Sequence, residues 1–180
     1  WAWNNWLHQQ KLSGGVTLDM HIHDVDFMYY LLGKPKTMNS VVAYGADGEA
    51  NQVFTTYSYE HTAVQIEAAW NYPSSFPFCA EYRAKFEQAT VVYSTQGGTF
   101  IVYPNQGEAF TPKLNTIELG ENNVGGNISS LAGYYDELSY FINQLINKKP
   151  IEISTLQDAA SSLALALSEL ENGEKVQTLI

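Results

Sequence analysis

From Ser13 to Leu32 the apolar residues Leu18, Ile22, Val25, Tyr29 and Leu32 recur at helical spacing, and this stretch constrains the fold more than any other. Asp19, His23, Asp26 and Tyr30 form a narrow polar wedge roughly a quarter-turn away from that stripe. Ser13 is placed to cap the helix, Gly33 to stop it and Pro35 to prevent its continuation. The spacing predicts a helix from about Ser13 to Leu32, packed by its apolar stripe. At ~100° per residue, Asp19 and His23 project from one face. A mostly apolar helix with one polar wedge needs a reason for the wedge. A histidine beside a carboxylate is a proton acceptor whose charged form is stabilised by its neighbour and which titrates near physiological pH, so the pair suits acid/base chemistry. The same spacing also suits an internal hydrogen-bonded pair that fixes the helix against a neighbour, because buried polar groups are paired whether or not they do chemistry.

The composition limits the alternatives. With 180 residues, the chain can build one domain with a real core but is too short for two full-sized ones. Hydrophobic residues make up 45% and charged residues 16%, which is the balance of a globular chain and not of a disordered one. Nine basic residues against 19 acidic ones give a net charge of -10, a surface that repels phosphate backbones and argues against a nucleic-acid partner. Cys79 is the only cysteine, so no intrachain disulfide can form and a reducing cytoplasm is the expected location. No apolar run approaches the ~18 residues of a membrane span. The chain starts at Trp1 and not at methionine, so a fragment of a longer protein is expected.

Beyond the first helix the pattern turns to strands. Ser40 to Tyr44, Val53 to Tyr59 and Ala63 to Trp70 are rich in β-branched and aromatic residues, with turns at Asp47-Gly48 and Glu60-His61. Ala80 to Glu87, Ala89 to Ser94, Thr99 to Tyr103 and Asn115 to Leu119 follow, and short turns between them imply antiparallel hairpins. A helix through Leu131, Tyr134, Leu138, Phe141, Ile142 and Leu145 ends at Pro150. Ser154 and Gln157 are read as a capping box for a last helix running to Asn172-Gly173, after which Val176 to Ile180 return as a strand. One helix, many strands, then helices make an α+β fold: a mainly antiparallel open sheet with helices on one face. With no repeat and no long linker, residues 1–180 read as a single domain. The strands between Ser40 and Thr99 carry more apolar side chains than one sheet face can bury, so the other face is expected to self-associate.

Ser13-Gly14-Gly15, then Asp19, His23 and Asp26, then Leu31-Leu32-Gly33-Lys34-Pro35 resemble the central signature of the Gfo/Idh/MocA family of nicotinamide-dependent sugar and polyol oxidoreductases, roughly GGGxLxDxGxHxxD before a short apolar stretch and Gly. Tyr135, Glu137, Phe141, Lys149-Pro150, Asp158-Ala159, Glu169 and Val176 are similar to its closing segment. The chain departs from the signature at His21, where the family usually has Gly, and at Val16, the third position of the Gly triplet. His21 falls on or beside the apolar stripe and roughly 160° from His23, which suits a packed histidine, or one that supports the site from behind, better than a second catalytic one.

The resemblance implies the family's C-terminal domain, which binds substrate and oligomerises, commonly as a dimer, through its open sheet face. NAD or NADP would then be bound mainly by an absent N-terminal Rossmann domain. No GxGxxG fingerprint occurs, and Lys34-Pro35 and Lys149-Pro150 lack the preceding Glu of the family's catalytic Glu-Lys-Pro motif. By the same resemblance, His23 accepts the proton of a substrate hydroxyl while hydride leaves the same carbon for the nicotinamide, and Asp19 binds an adjacent hydroxyl and orients His23. Lys11 and Tyr82 are weaker candidates for contact with a sugar, polyol or inositol-like substrate. The fragment alone is expected to be inactive. Two other classes compete. A metal-dependent hydrolase would use His21 and His23 from one side of a strand, and a non-catalytic family member would serve only as a binding or dimerisation module.

Overall fold

The computed structural model describes residues 3–113 and 132–177. In chain order its main elements are α1 (Gln10–Ser13), a π-helical turn (Thr17–His21), α2 (Ile22–Leu32), β1 (Thr37–Tyr44), β2 (Ala50–Ser58), β3 (Ala63–Ala69), β4 (Glu81–Lys85), β5 (Ala89–Ser94), β6 (Thr99–Pro104), α3 (Ala132–Ile146), α4 (Leu156–Asn172) and β7 (Glu174–Gln177). They fall into two compact units, Trp1–Tyr72 with Pro150–Ile180, and Pro73–Lys149. The architecture is α+β, as the alternation of patterns requires.

The first unit is built on a four-stranded sheet of order β3-β2-β1-β7. Along β2 the buried residues Val53, Thr55 and Tyr57 alternate with more open ones, so one sheet face packs inward. Asp47-Gly48 turns the chain between β1 and β2, with Gly48 N–H donating to the Gly45 carbonyl at 3.0 Å, and Tyr59 N–H closes the next hairpin on the Thr62 carbonyl at 2.8 Å. Ser40 and Thr55, partners across β1 and β2, satisfy each other's buried hydroxyls at 2.9 Å. The final strand lies at Glu174–Gln177 and shares residues 176–177 with the expected Val176 to Ile180, whose residues 178–180 lie outside the described residues; it runs parallel to β1 while the other described strand pairs are antiparallel. Val16, Val42, Ala50, Val53 and Ala68 make the core, with Met20, Tyr44, Trp70 and Leu170 packed against it.

The expected helix from Ser13 to Leu32 is present in outline but not uniform. Ser13 ends α1 instead of capping the next helix, and its hydroxyl accepts the Gly15 N–H at 3.0 Å. Gly14 reverses the chain at φ +83°, where a Cβ would also lie 2.6 Å from the Leu18 Cβ, so the position needs glycine twice over. Thr17–His21 then form a π-turn in which the Ile22 N–H reaches the Thr17 carbonyl, five residues back. Gly33, at φ +72°, stops α2 with its N–H on the Tyr29 carbonyl. Each residue of a π-turn advances by less than the α-helical 100°, so the buried line becomes Thr17, His21 and Val25. Leu18, Ile22 and Tyr29 are only partly buried and Leu32 is 42% exposed.

The capping box of α4 also lies one residue beyond the expected one. Thr155 Oγ1 accepts the Asp158 N–H at 3.2 Å and Asp158 Oδ2 accepts the Thr155 N–H at 2.9 Å. Ser154 sits at φ +53°, a left-handed conformation that an N-cap does not adopt, whereas Thr155 is extended.

The second unit holds the antiparallel sheet β4-β5-β6 and α3. Tyr82 on β4 stacks on Tyr93 of β5, with ring centroids 5.2 Å apart, and Tyr93 meets Phe100 of β6 edge-on. The strand expected at Asn115 to Leu119 lies outside the described residues. No helix among the described residues is long and apolar enough to cross a membrane.

Candidate functional site

His23 stands in the first turn of α2 with its side chain exposed, and Asp19 lies half-buried in the π-turn before it. Among the described residues no hydrogen bond or ion pair joins the two. Asp24, beside His23, is exposed on one side, yet packing withdraws its carboxyl from water and raises it above the ordinary carboxylate range, while the charges of His21 and His23 pull it back. Asp26 faces α4, where its Oδ1 accepts the Ser162 hydroxyl at 2.6 Å. The polar wedge therefore divides, with Asp26 tying the helix down and His23 left open.

His21 points the other way. It is fully buried, and its Nε2 lies 2.6 Å from Oε2 of Glu169, a fully buried residue of α4. The contact lacks hydrogen-bond geometry, yet each of these two buried atoms faces the other. The other Glu169 oxygen accepts the hydroxyl of Tyr57, which reaches it from the inner face of β2. Burial, then the hydrogen bond and charge of Glu169, hold that phenol well above its ordinary range, so it stays a donor. Because His21 and His23 project to opposite sides of a helix, they cannot grip one metal ion from one side of a strand.

Sequence reasoning found His21 as a packed residue but not what it packs against. The signal was there in α4, where Ser162, Ala166 and Glu169 fall on its buried face and put a carboxylate where an apolar residue belongs. Of the weaker candidates, Lys11 is exposed at the end of α1 in the first unit. Tyr82 belongs to the second unit, 40% exposed, with its ring stacked on Tyr93.

The described glycine pairs do not make a dinucleotide cradle. Gly14-Gly15 separates two helical segments and Gly97-Gly98 lies in the turn between β5 and β6, whereas the cradle needs a glycine turn from a strand into a helix.

Levoglucosan dehydrogenase in complex with NADH has a similar fold, with a TM-score of 0.71 at 14% identity over 92% of this chain and 50% of that one. UDP-N-acetylglucosamine 3-dehydrogenase from Acidithiobacillus ferrooxidans matches with a TM-score of 0.66 at 17% identity, over 93% of this chain and 50% of that one. Myo-inositol dehydrogenase from Corynebacterium glutamicum gives 0.53 at 17% identity, over 89% and 47%. At such identities the likeness is one of fold, and the chain spans about half the length of these proteins. No curated protein sequence matches it. The family model for "Oxidoreductase family, C-terminal alpha/beta domain" matches residues 1–168. With the Asp19 and His23 signature carried on the helix that follows the Gly-Gly break, this chain belongs to the Gfo/Idh/MocA oxidoreductase family, as its C-terminal alpha/beta domain.

Proposed function

We propose that residues 1–180 form the single substrate-binding and oligomerisation domain of a nicotinamide-dependent oxidoreductase that acts on a hydroxyl group of a sugar, polyol or inositol-like compound. The observation that carries this reading is the exposure of His23 at the start of α2, in register with the family signature, while His21 is buried on the opposite side. An exposed imidazole on a rigid helix can meet a substrate hydroxyl and take its proton as the carbon is oxidised. Asp19 binds a neighbouring hydroxyl, with Lys11 as a further contact in the same unit.

NAD or NADP, which supplies the hydride acceptor, is assigned to a domain outside this chain, so the fragment alone turns nothing over. The solved relatives support the substrate class. One is a levoglucosan dehydrogenase held with NADH and L-sorbose, and another is named as a myo-inositol dehydrogenase. We place the protein in the cytoplasm, as a homo-oligomer joined through its open sheet face, without nucleic-acid or membrane partners.

The test is His23→Ala in the intact protein, assayed on a panel of sugars, polyols and inositols with both cofactors. Losing a general base costs typically ~10² to 10⁴-fold, so kcat is expected to fall by that order while cofactor binding is unchanged. Asp19→Asn is expected to slow turnover as well, whereas His21→Gly, which restores the family's usual residue, is expected to be far milder. Undiminished turnover in His23→Ala would remove the assignment of the base. No turnover in the wild-type protein on any member of the panel favours the non-catalytic binding or dimerisation module instead.

A further inference from the structure

The pair His21 and Glu169 is a fully buried contact between two titratable groups, and proton transfer at His23 makes no use of it. Both side chains are fully buried, and a carboxylate in that position is costly unless it is compensated. The compensation comes from two elements, Tyr57 on β2 and His21 at the end of the π-turn. We propose that Glu169 is a positioning residue for His23: its carboxylate, steadied by Tyr57, captures His21 and thereby fixes the π-turn that directs His23 away from the core. The inference rests on the reading of His23 as the base.

The geometry of the turn carries the argument. A π-turn is less favourable than continued α-helix and persists where its surroundings hold it. Inside Thr17–His21, Thr17 Oγ1 is buried without a hydrogen-bond partner and His21 Nδ1 is likewise unpaired. Among the described residues, the side chains of the turn make one polar contact with another element, that of His21 with Glu169. The turn also packs against β2, β3 and α4, so the apolar surroundings are shared with any other helical phase while the contact of His21 with Glu169 is specific to this one. Reversion to α spacing shifts the residues before and after the turn by about 100° relative to each other. Either Val16 and Thr17 then leave the core or His23 swings from its exposed position.

Glu169→Gln keeps the size of the side chain and an acceptor for Tyr57, and removes only the charge that faces His21. In the intact protein this variant is expected to speed amide hydrogen exchange at residues 17–21 and to lower kcat on the order of 10²-fold, with KM for the hydroxylated substrate unchanged, as for a misplaced catalytic group. Tyr57→Phe removes one donor to Glu169 and is expected to move both readouts in the same direction by less. It decides the matter if Glu169→Gln does not fold. Wild-type exchange in both variants overturns the proposal, and so does faster exchange with kcat unchanged, since the turn would then be anchored without positioning His23. Exchange is read without turnover, so a failure of His23→Ala to lower activity sinks the base assignment independently of the link between Glu169 and the turn.

Discussion

His21 and His23 share a residue type and are separated by a single position, yet one is sealed in the core and the other faces solvent. Helical geometry alone separates them by about 200°. Asp24 lies between these environments, with its carboxyl raised by burial against the opposing pull of the two imidazoles. A carboxyl whose folded value lies above its unfolded value of 3.8 favours the fold while protonated, and that contribution is lost as pH rises through the folded value. At neutral pH the ionised group therefore works against the fold. Asp24→Asn is expected to melt at a higher temperature than the wild type at pH 7, with the difference vanishing towards pH 3. A lower melting temperature at pH 7 would mean that the attraction of the two imidazoles outweighs burial. His21 was legible as a packed residue from its place beside the stripe; the pattern of α4 marks Glu169 as a carboxylate on a buried face, but nothing local marks His21 as its partner, because the contact between α4 and the π-turn is long-range.

At the level of elements, the strands could be read closely because β-branched and aromatic runs end at turn residues whose chemistry is local. Asp47-Gly48 and Glu60-His61 turn the chain as expected, and β5 keeps its expected limits. The helical segment resisted because two of its determinants are not periodic. Gly14 takes a left-handed conformation that breaks the chain after Ser13, and the π-turn then resets the phase so that Thr17, His21 and Val25 align. The start of α4 shows the same limit, since both Ser154 and Thr155 are capping types and only backbone conformation chooses between them. Thr155→Ala is expected to destabilise the protein by about 1 kcal/mol in urea unfolding, as is usual when an N-cap is lost. Ser154→Gly, at a positive φ, is expected to be neutral or stabilising. Hydrogen bonds from the Thr155 side chain and backbone lower the Asp158 carboxyl, so the stabilising effect of the box is present above the ordinary value of 3.8 and lost as pH falls through the lowered one. A larger loss from Ser154→Gly than from Thr155→Ala would return the cap to Ser154.

For the whole molecule, the face of the first sheet turned away from the buried residues is the one expected to bring copies together. The inner positions Val42, Val53, Thr55 and Tyr57 are buried, while Phe54, on the other face of β2, stays 40% exposed. Phe54 lines a groove with Met38, Val41, Thr56, Asn172 and Glu174. An exposed aromatic at the centre of a strand, beside a half-buried valine, is the kind of anchor that interfaces desolvate, and the polar residues around it suit a rim. We expect copies of this chain to self-associate through this face. Light scattering of the intact protein at micromolar concentration is expected to give a dimer or a larger assembly. Phe54→Arg, which places a charge of the same sign in each copy at a two-fold contact, is expected to shift that population to monomer with the melting curve of the monomer preserved. A wild-type monomer would refute self-association, and an assembly indifferent to Phe54→Arg would assign it to another surface.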